Sequence, residues 1–315
     1  MSYTTRIKEE ITSIENTKSE IIAELAGFIR NNGSLHNNKK LVLTTENKKT
    51  VERIKKFIKI VYNTELNIET KENNNFSKKE LVVMSVEDAA NLLKDIGYID
   101  NNGEILYSPP TYIVGANEEI RAYLRGVFLC TGSINDPKTS RYHMELLINK
   151  PEEAIFVQKL LNIFDLNAKI LNRDKGYMIY LKEAEKISDY IKILGANQAV
   201  MYFEDVRIYR EQKNQTNRLN NCEQANIDKV VATATIQLEQ IKIIEDAGSA
   251  DLLDDKTKKT LEYRKKYPEA SLKELSEIIS LETEKKLTKS GLNHRLRKIK
   301  ELAEKIEKSQ KNRDE

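Results

Sequence analysis

The chain has 315 residues, enough for two or three domains that each bury a core. Charged residues make up 32% and hydrophobic residues 39%, a soluble globular composition rich in Lys and Asn, while a net charge of +3 is too small to name a partner. The two cysteines, Cys130 and Cys222, lie far apart with no CxxC, which excludes a zinc ribbon and argues against a disulfide framework. The first residues, MSYTTRIKEEI, carry no apolar signal core, and no run approaches the ~20 apolar residues of a membrane span, so the expected location is cytoplasmic with no membrane partner.

The first informative stretch is LAGFIRNNG, Leu25 to Gly33, which reads as a buried helix ending in glycine. After it come GSL, a polar gap, the strand LVLTT and the helix VERIKKFIKIVY, with Ile54, Phe57, Ile58 and Val61 at helical spacing. The strand KKELVVMSV and the helix EDAANLLKDIGYI follow. The same order then begins again. LRGVFLCTG, Leu124 to Gly132, is followed by GSI, YHMELLI, PEEAIFVQKLLNIF, KGYMIYL and KEAEKISDYIKILGA. From Leu25 to Leu124 is 99 residues, the size of one small α+β unit. With two copies only, over about 15–105 and 115–200, the pattern predicts a pseudo-symmetric pair and not a solenoid. A first domain over 1–205 is expected.

Gly27 and Gly126 lie inside their helices, which costs ~1 kcal/mol against alanine and calls for a packing reason. Close approach of two helices through these small residues supplies one. Leu25, Phe28 and Ile29 fall on one face, as do Leu124, Val127 and Phe128. Gly33 and Gly132 are expected to end the helices in left-handed caps.

Polar sequence over 206–225, including RIYREQKNQTNRLNN, reads as a partly helical linker. A helical domain is expected over 226–315. Its first helix has the stripe Ile227, Val230, Val231, Ala234, Leu238, Ile241 and Ile244, closed by Gly248. A second helix runs from Lys256 to Tyr267 and stops at Pro268. Ser271-Leu272-Lys273-Glu274 is a capping box that starts a short helix on Leu272, Leu275 and Ile278. After a polar turn comes TKSGLNHRLRKIKELAEKI, capped by Thr288, with Leu292, Leu296, Ile299, Leu302 and Ile306 as the buried stripe. From Lys285 to Lys300 there are seven Lys or Arg and no acid. A short capped helix before a basic one predicts a helix-turn-helix over about 271–308. Lys289, Ser290, Asn293, His294, Arg295, Arg297, Lys298 and Lys300 are its candidate DNA contacts, since basic side chains suit phosphate and Arg, Asn and Ser read base edges. The turn from Leu281 to Leu287 is longer than the usual 3–4 residues.

Other chemistry has little support. His36, His143 and His294 share no metal-ligand spacing, and there is no P-loop, dinucleotide fingerprint or GxSxG. Cys130 reads as a packing residue, and aromatic residues form no stacking platform for RNA. No cofactor is expected.

The duplicated motif in its αββα setting resembles a tandem LAGLIDADG homing endonuclease core. In that family two motif helices pack side by side, and an acid at the end of each shares metal ions above DNA. Those acids map to Asn32 and Thr131, and neither is a carboxylate. Asp136 lies just past the second motif, with only His36 at a comparable place in the first half. The degenerate pair, followed by SGLNHRLRKI and preceded at the domain junction by Asn220 to Asn226 and Lys229, resembles the WhiA family of Gram-positive bacteria over essentially the whole chain. The resemblance implies an α+β fold, a tandem (αββαββα)2 LAGLIDADG-like domain followed by an all-α helix-turn-helix domain. It also implies a non-enzymatic, nucleoid-associated DNA-binding protein acting in cell division, chromosome segregation or sporulation. The implied partner is double-stranded DNA, and the N-terminal domain is expected either to add a second DNA contact through its sheets or to hold a protein partner. That domain's sheets carry Lys78, Lys79, Lys138 and Arg141 but also Glu80 and Glu145, so a strongly basic saddle is not expected. The competing expectation is a metal-dependent endonuclease using Asp136 or other unrecognised acids.

Overall fold

Two helices, α2 (Lys18–Asn32) and α5 (Asn117–Thr131), meet backbone to backbone at the centre of the first part of the chain. A Cβ placed on Gly27 would stand 2.2 Å from the Tyr123 carbonyl oxygen, and one on Gly126 would stand 2.1 Å from that of Glu24. Only glycine fits at either place. Leu25, Phe28, Ile29, Leu124, Val127 and Phe128 are all fully buried around this contact. Gly33 and Gly132 differ from expectation: both are extended, at φ −73° and −81°, not left-handed. Space selects them instead, because a Cβ on Gly132 would meet the Phe128 ring and one on Gly33 the Ile29 carbonyl.

The computed structural model describes residues 1–36, 39–71, 80–139, 141–174 and 176–314, the last four as backbone. The chain divides into two units, Met1–Glu211 and Gln212–Glu315. In the first, an N-terminal helix α1 (Tyr3–Ile11) precedes α2, and each motif helix leads a repeat. The first repeat continues through β1 (Ser34–His36), β2 (Lys40–Thr45), α3 (Lys48–Tyr62), β3 (Asn67–Lys71), β4 (Leu81–Val86) and α4 (Ala90–Asp95). The second continues through β5 (Gly132–Ile134), β6 (Met144–Ile148), α6 (Pro151–Ile163), β7 (Lys169–Arg173), β8 (Gly176–Leu181) and α7 (Ala184–Leu194). Each repeat builds an antiparallel four-stranded sheet, ordered β1-β2-β4-β3 and β5-β6-β8-β7. Alternation sets the buried faces: Leu41 and Leu43 pair with Val86 and Met84, and Leu146 pairs with Ile179.

Buried charge ties the repeats together. Glu24 on α2 accepts from Arg53 Nη2 of α3 at 2.8 Å and from Arg125 Nε of α5 at 3.1 Å. In the other direction, Glu153 on α6 accepts from Arg30 Nε of α2 at 3.0 Å and from the Tyr123 hydroxyl of α5. Arg30 also donates to the carbonyls of Gly97 and Leu106, so its desolvated guanidinium is satisfied.

The stretch over 206–225 is not a break. It lies inside α8 (Asn197–Asp246), because neither glycine nor proline interrupts 197–246. In the second unit the later part of α8 packs with α9 (Asp255–Lys266), α10 (Leu272–Thr283) and α11 (Lys289–Asp314). Ile241, Ile244, Leu261, Leu275, Ile279, Leu292, Leu296, Ile299 and Ala303 form its core. The start of the expected α8 stripe stays outside this core, with Ile227 56% and Val231 49% exposed. Gly248, at φ 61°, closes α8 as expected. Among the described residues no helix is long and apolar enough to cross a membrane.

Gly126→Ala should destabilise the protein by about 3 kcal/mol or more, since the obstructing atom is backbone and the helices must part. Gly115→Ala, whose Cβ would meet only ordinary contacts, should stay within about 1 kcal/mol of the parent. Denaturant titration of both variants checks this; equal losses would contradict the packing account.

Candidate nucleic-acid interface

The ends of the motif helices are closed by polar pairs within the fold. The Asn32 amide grips β2 twice: Oδ1 accepts from the Thr44 amide and Nδ2 donates to the Thr44 carbonyl, both at 2.8 Å. The Thr131 hydroxyl donates to the Val127 carbonyl one turn back, at 2.8 Å. Asp136 is also engaged. It accepts from the Tyr202 hydroxyl of α8 at 3.1 Å and from the Lys138 amide at 2.9 Å. A polar cavity of about 110 Å³ adjoins Asn31 and Asn32, but its buried carboxylate is Glu153, already held by Arg30, Asn31 and Tyr123. Hard divalent cations need free carboxylate oxygens, and these positions offer an amide, a hydroxyl and spoken-for acids. Among the described residues no group of three His, Cys, Asp or Glu could hold a metal ion. Burial pushes the Cys130 thiol up to about 12, which suits a packing residue and not a nucleophile.

Outside the motif helices, Lys138 lies over the Tyr202 ring and Glu80 pairs with Lys48. His143 bonds Glu145 at 3.1 Å, and Lys78 and Lys79 lie outside the described residues.

In the second unit, local chemistry builds a helix-turn-helix. Ser271 and Glu274 form the reciprocal capping box that starts α10. Glu284 adopts a left-handed conformation, at φ 52°, and ends α10. Five residues, Glu284 to Thr288, separate the helices. The Ser280 hydroxyl holds this turn by accepting from the Leu287 amide at 2.9 Å. Thr288 then caps α11, its hydroxyl accepting from the Gly291 amide at 3.2 Å.

The candidate contact residues of α11 fall into three sets. Ser290, Asn293, His294, Arg297 and Lys300 line an open groove of about 630 Å³, opposite Thr233, Ile236, Gln237 and Gln240 of α8. Arg297 and Lys300 reach Glu301 and Glu304 at 3.4 and 3.7 Å, exposed pairs of the kind worth about 0.3–0.5 kcal/mol. Arg295 and Lys298 instead reach the start of α9 and its cap, Lys298 through a pair that is itself exposed. Arg295 Nη1 donates to the Lys256 carbonyl at 3.3 Å, and Lys298 bonds Asp254 at 2.7 Å. The Lys298 ammonium and the Thr257 hydroxyl and amide hold the Asp254 carboxyl well below the usual carboxylate range. Lys289, the first residue of α11, lines a separate depression with Lys229 and Lys273.

Gln237 is a groove residue that the sequence reading omitted. It is 9% exposed, and its Oε1 has no partner among the described residues. The available signal was a polar residue on the stripe Ala234, Ile241 and Ile244.

Comparison with known proteins gives three matching family models. They are the WhiA N-terminal LAGLIDADG-like domain over residues 18–99, the WhiA LAGLIDADG-like domain over 120–213, and the WhiA C-terminal HTH domain over 216–303. The chain is 40% identical over 315 residues to a probable cell division protein WhiA of Staphylococcus haemolyticus, covering 99% of each chain. It is 40% identical over 315 residues to that of Lysinibacillus sphaericus, again covering 99% of each, and 39% identical over 313 residues to that of Enterococcus faecalis, covering 97% and 98%. Among solved structures, full-length WhiA from Thermatoga maritima aligns with a TM-score of 0.61 at 21% identity, over 97% of this chain and 99% of that one. The N-terminal LAGLIDADG domain of a WhiA aligns with a TM-score of 0.50 at 22% identity, over 61% and 89%. These likenesses establish the fold.

Restoring an acid at the first motif should cost stability. Asn32→Asp places a carboxylate against the Thr44 carbonyl, with an expected loss of about 1–3 kcal/mol at neutral pH. The carbonyl raises the folded carboxyl's pKa, so the loss should shrink as pH falls and the protonated acid donates in place of Nδ2. Denaturant titrations at pH 4 and 7 read this, and a cost independent of pH would contradict the assigned pairing.

Proposed function

The chain belongs to the WhiA family, and from that premise we propose that it is a non-enzymatic, sequence-specific DNA-binding protein. It serves as a transcriptional regulator in cell division, chromosome segregation or sporulation, and it acts on the nucleoid. The observation that carries the reading is the division of labour on α11. One set of its polar residues bonds the start of α9, and another, Ser290, Asn293, His294, Arg297 and Lys300, stays exposed along the N-terminal half of a helix that follows a capped α10.

Such a helix enters a major groove by its N-terminal residues. Asn293 and Arg297 suit adenine and guanine edges, and Lys289, Ser290 and Lys300 suit phosphates. DNA recognition belongs to 226–315, with the reading helices over about 271–308. The first 205 residues form the LAGLIDADG-like domain, kept as a scaffold and contact surface. Two observations support loss of cleavage there: Asn32 and Thr131 are bonded to backbone, and Asp136 is held by Tyr202. The mixed charges near its sheets favour weak DNA contact together with a protein partner.

Asn293→Ala and Arg297→Ala should each cost about 1–3 kcal/mol of binding at one base position. Lys300→Ala should weaken binding to every duplex and lower the salt slope by about one. Arg295→Ala and Lys298→Ala should lower the melting temperature of the chain while leaving base preference unchanged. Salt titrations on a panel of duplexes, with melting curves, separate these effects. Uniform loss from both Asn293→Ala and Arg297→Ala would sink the base-reading assignment.

A further inference from the structure

A depression of about 240 Å³ lies where α8, α9, α10 and α11 converge within the second unit. Four of its lining residues are cations, Lys229, Arg264, Lys273 and Lys289, and none is an acid. Arg264 is the unusual member. It is only 1% exposed, and among the described residues it meets no carboxylate. Its Nη1 donates to the Ala270 carbonyl at 2.7 Å and more loosely to those of Tyr267 and Pro268, while its buried Nε has no partner among the described residues. A guanidinium removed from water without a counter-charge is costly, unless an anion arrives to complete it.

The surroundings fit that anion. None of the three lysines forms an ion pair among the described residues, so each can turn to a ligand. Ser271, the cap of α10, stands at the rim, where a helix N-terminus adds a favourable dipole. The nearby Glu274 is already occupied by the Ser271 amide at 2.8 Å. Val230, Ala270 and Leu272 supply apolar walls that strengthen charge interactions by excluding water.

We propose that Arg264, Lys229, Lys273 and Lys289 form a seat for a single phosphate group. The seat rests on the reading of this unit as DNA-binding where the phosphate is a backbone phosphodiester. In that case a strand beside the start of α11 would be pinned through α8 and α10 while the exposed face of α11 reads bases. The same chemistry would also accept free phosphate.

The test uses the full-length chain and the double variant Lys229→Gln/Lys273→Gln, whose changes are on exposed side chains and spare the core. Two measurements are made on each protein: the salt dependence of duplex binding, and the melting temperature with inorganic phosphate or chloride at matched ionic strength. For a backbone seat, the variant's log K against log salt slope falls by about one unit while its ranking of duplex sequences is kept. For a free-phosphate seat, the slope is unchanged, but phosphate raises the parent's melting temperature and not the variant's. An unchanged slope together with no phosphate-specific stabilisation of the parent would overturn the seat. Should the parent fail to bind any duplex, the DNA reading falls, and the phosphate measurement alone decides the seat.

Discussion

The first unit depends on one close approach. Gly27 and Gly126 let α2 and α5 touch at the backbone, and each repeat then extends its sheet from the end of one of these helices. The same contact brings Glu24 within reach of Arg125, and Arg30 within reach of Glu153. The two buried clusters run in opposite senses. In the first repeat the acid sits on the motif helix and the arginine on α3. In the second, Tyr123 occupies the motif helix, 99 residues after Glu24, and the acid sits on α6. The two repeats therefore share their packing but not the arrangement of their buried charges. Each cluster joins elements of different repeats, so loss of one partner would strand a desolvated charge at the junction.

At the ends of these helices the polar residues serve the fold. An acid at position 32 would face a carbonyl, whereas the amide closes two hydrogen bonds to β2. The amide thus differs from an acid in more than charge: it binds the helix end to the sheet through both its donor and its acceptor.

Much of the fold was legible in the sequence because repetition doubles weak signals. Neither LAGFIRNNG nor LRGVFLCTG would be decisive alone, but their matching contexts identify the repeat and the close helix pair. Capping chemistry was equally readable: Ser271 with Glu274, Thr288 and Gly248 act as their residue types require. The extended conformations of Gly33 and Gly132 were not, since a terminal glycine has the same appearance whether backbone angle or lack of space selects it. The continuity of α8 was masked by its polarity, because an exposed helix has no apolar stripe to announce it. The division of α11 was also hidden. Its basic residues look alike in sequence, and only the packing of α9 gives Arg295 and Lys298 partners at the start of that helix while Arg297 and Lys300 line the groove. Gln237 and Arg264 escaped for a related reason, as the value of a buried polar group depends on which partners it lacks.

The central claim is that this scaffold binds DNA and no longer cuts it. The most direct measurement places the full-length protein on mixed genomic duplex fragments, with Mg²⁺ and with a chelator, and follows retardation and new DNA ends on the same gel. The account predicts selective retardation of some fragments, the same in both conditions, with no new ends. Metal-dependent cutting that is lost in Asp136→Ala would contradict it and would return the molecule to the nucleases.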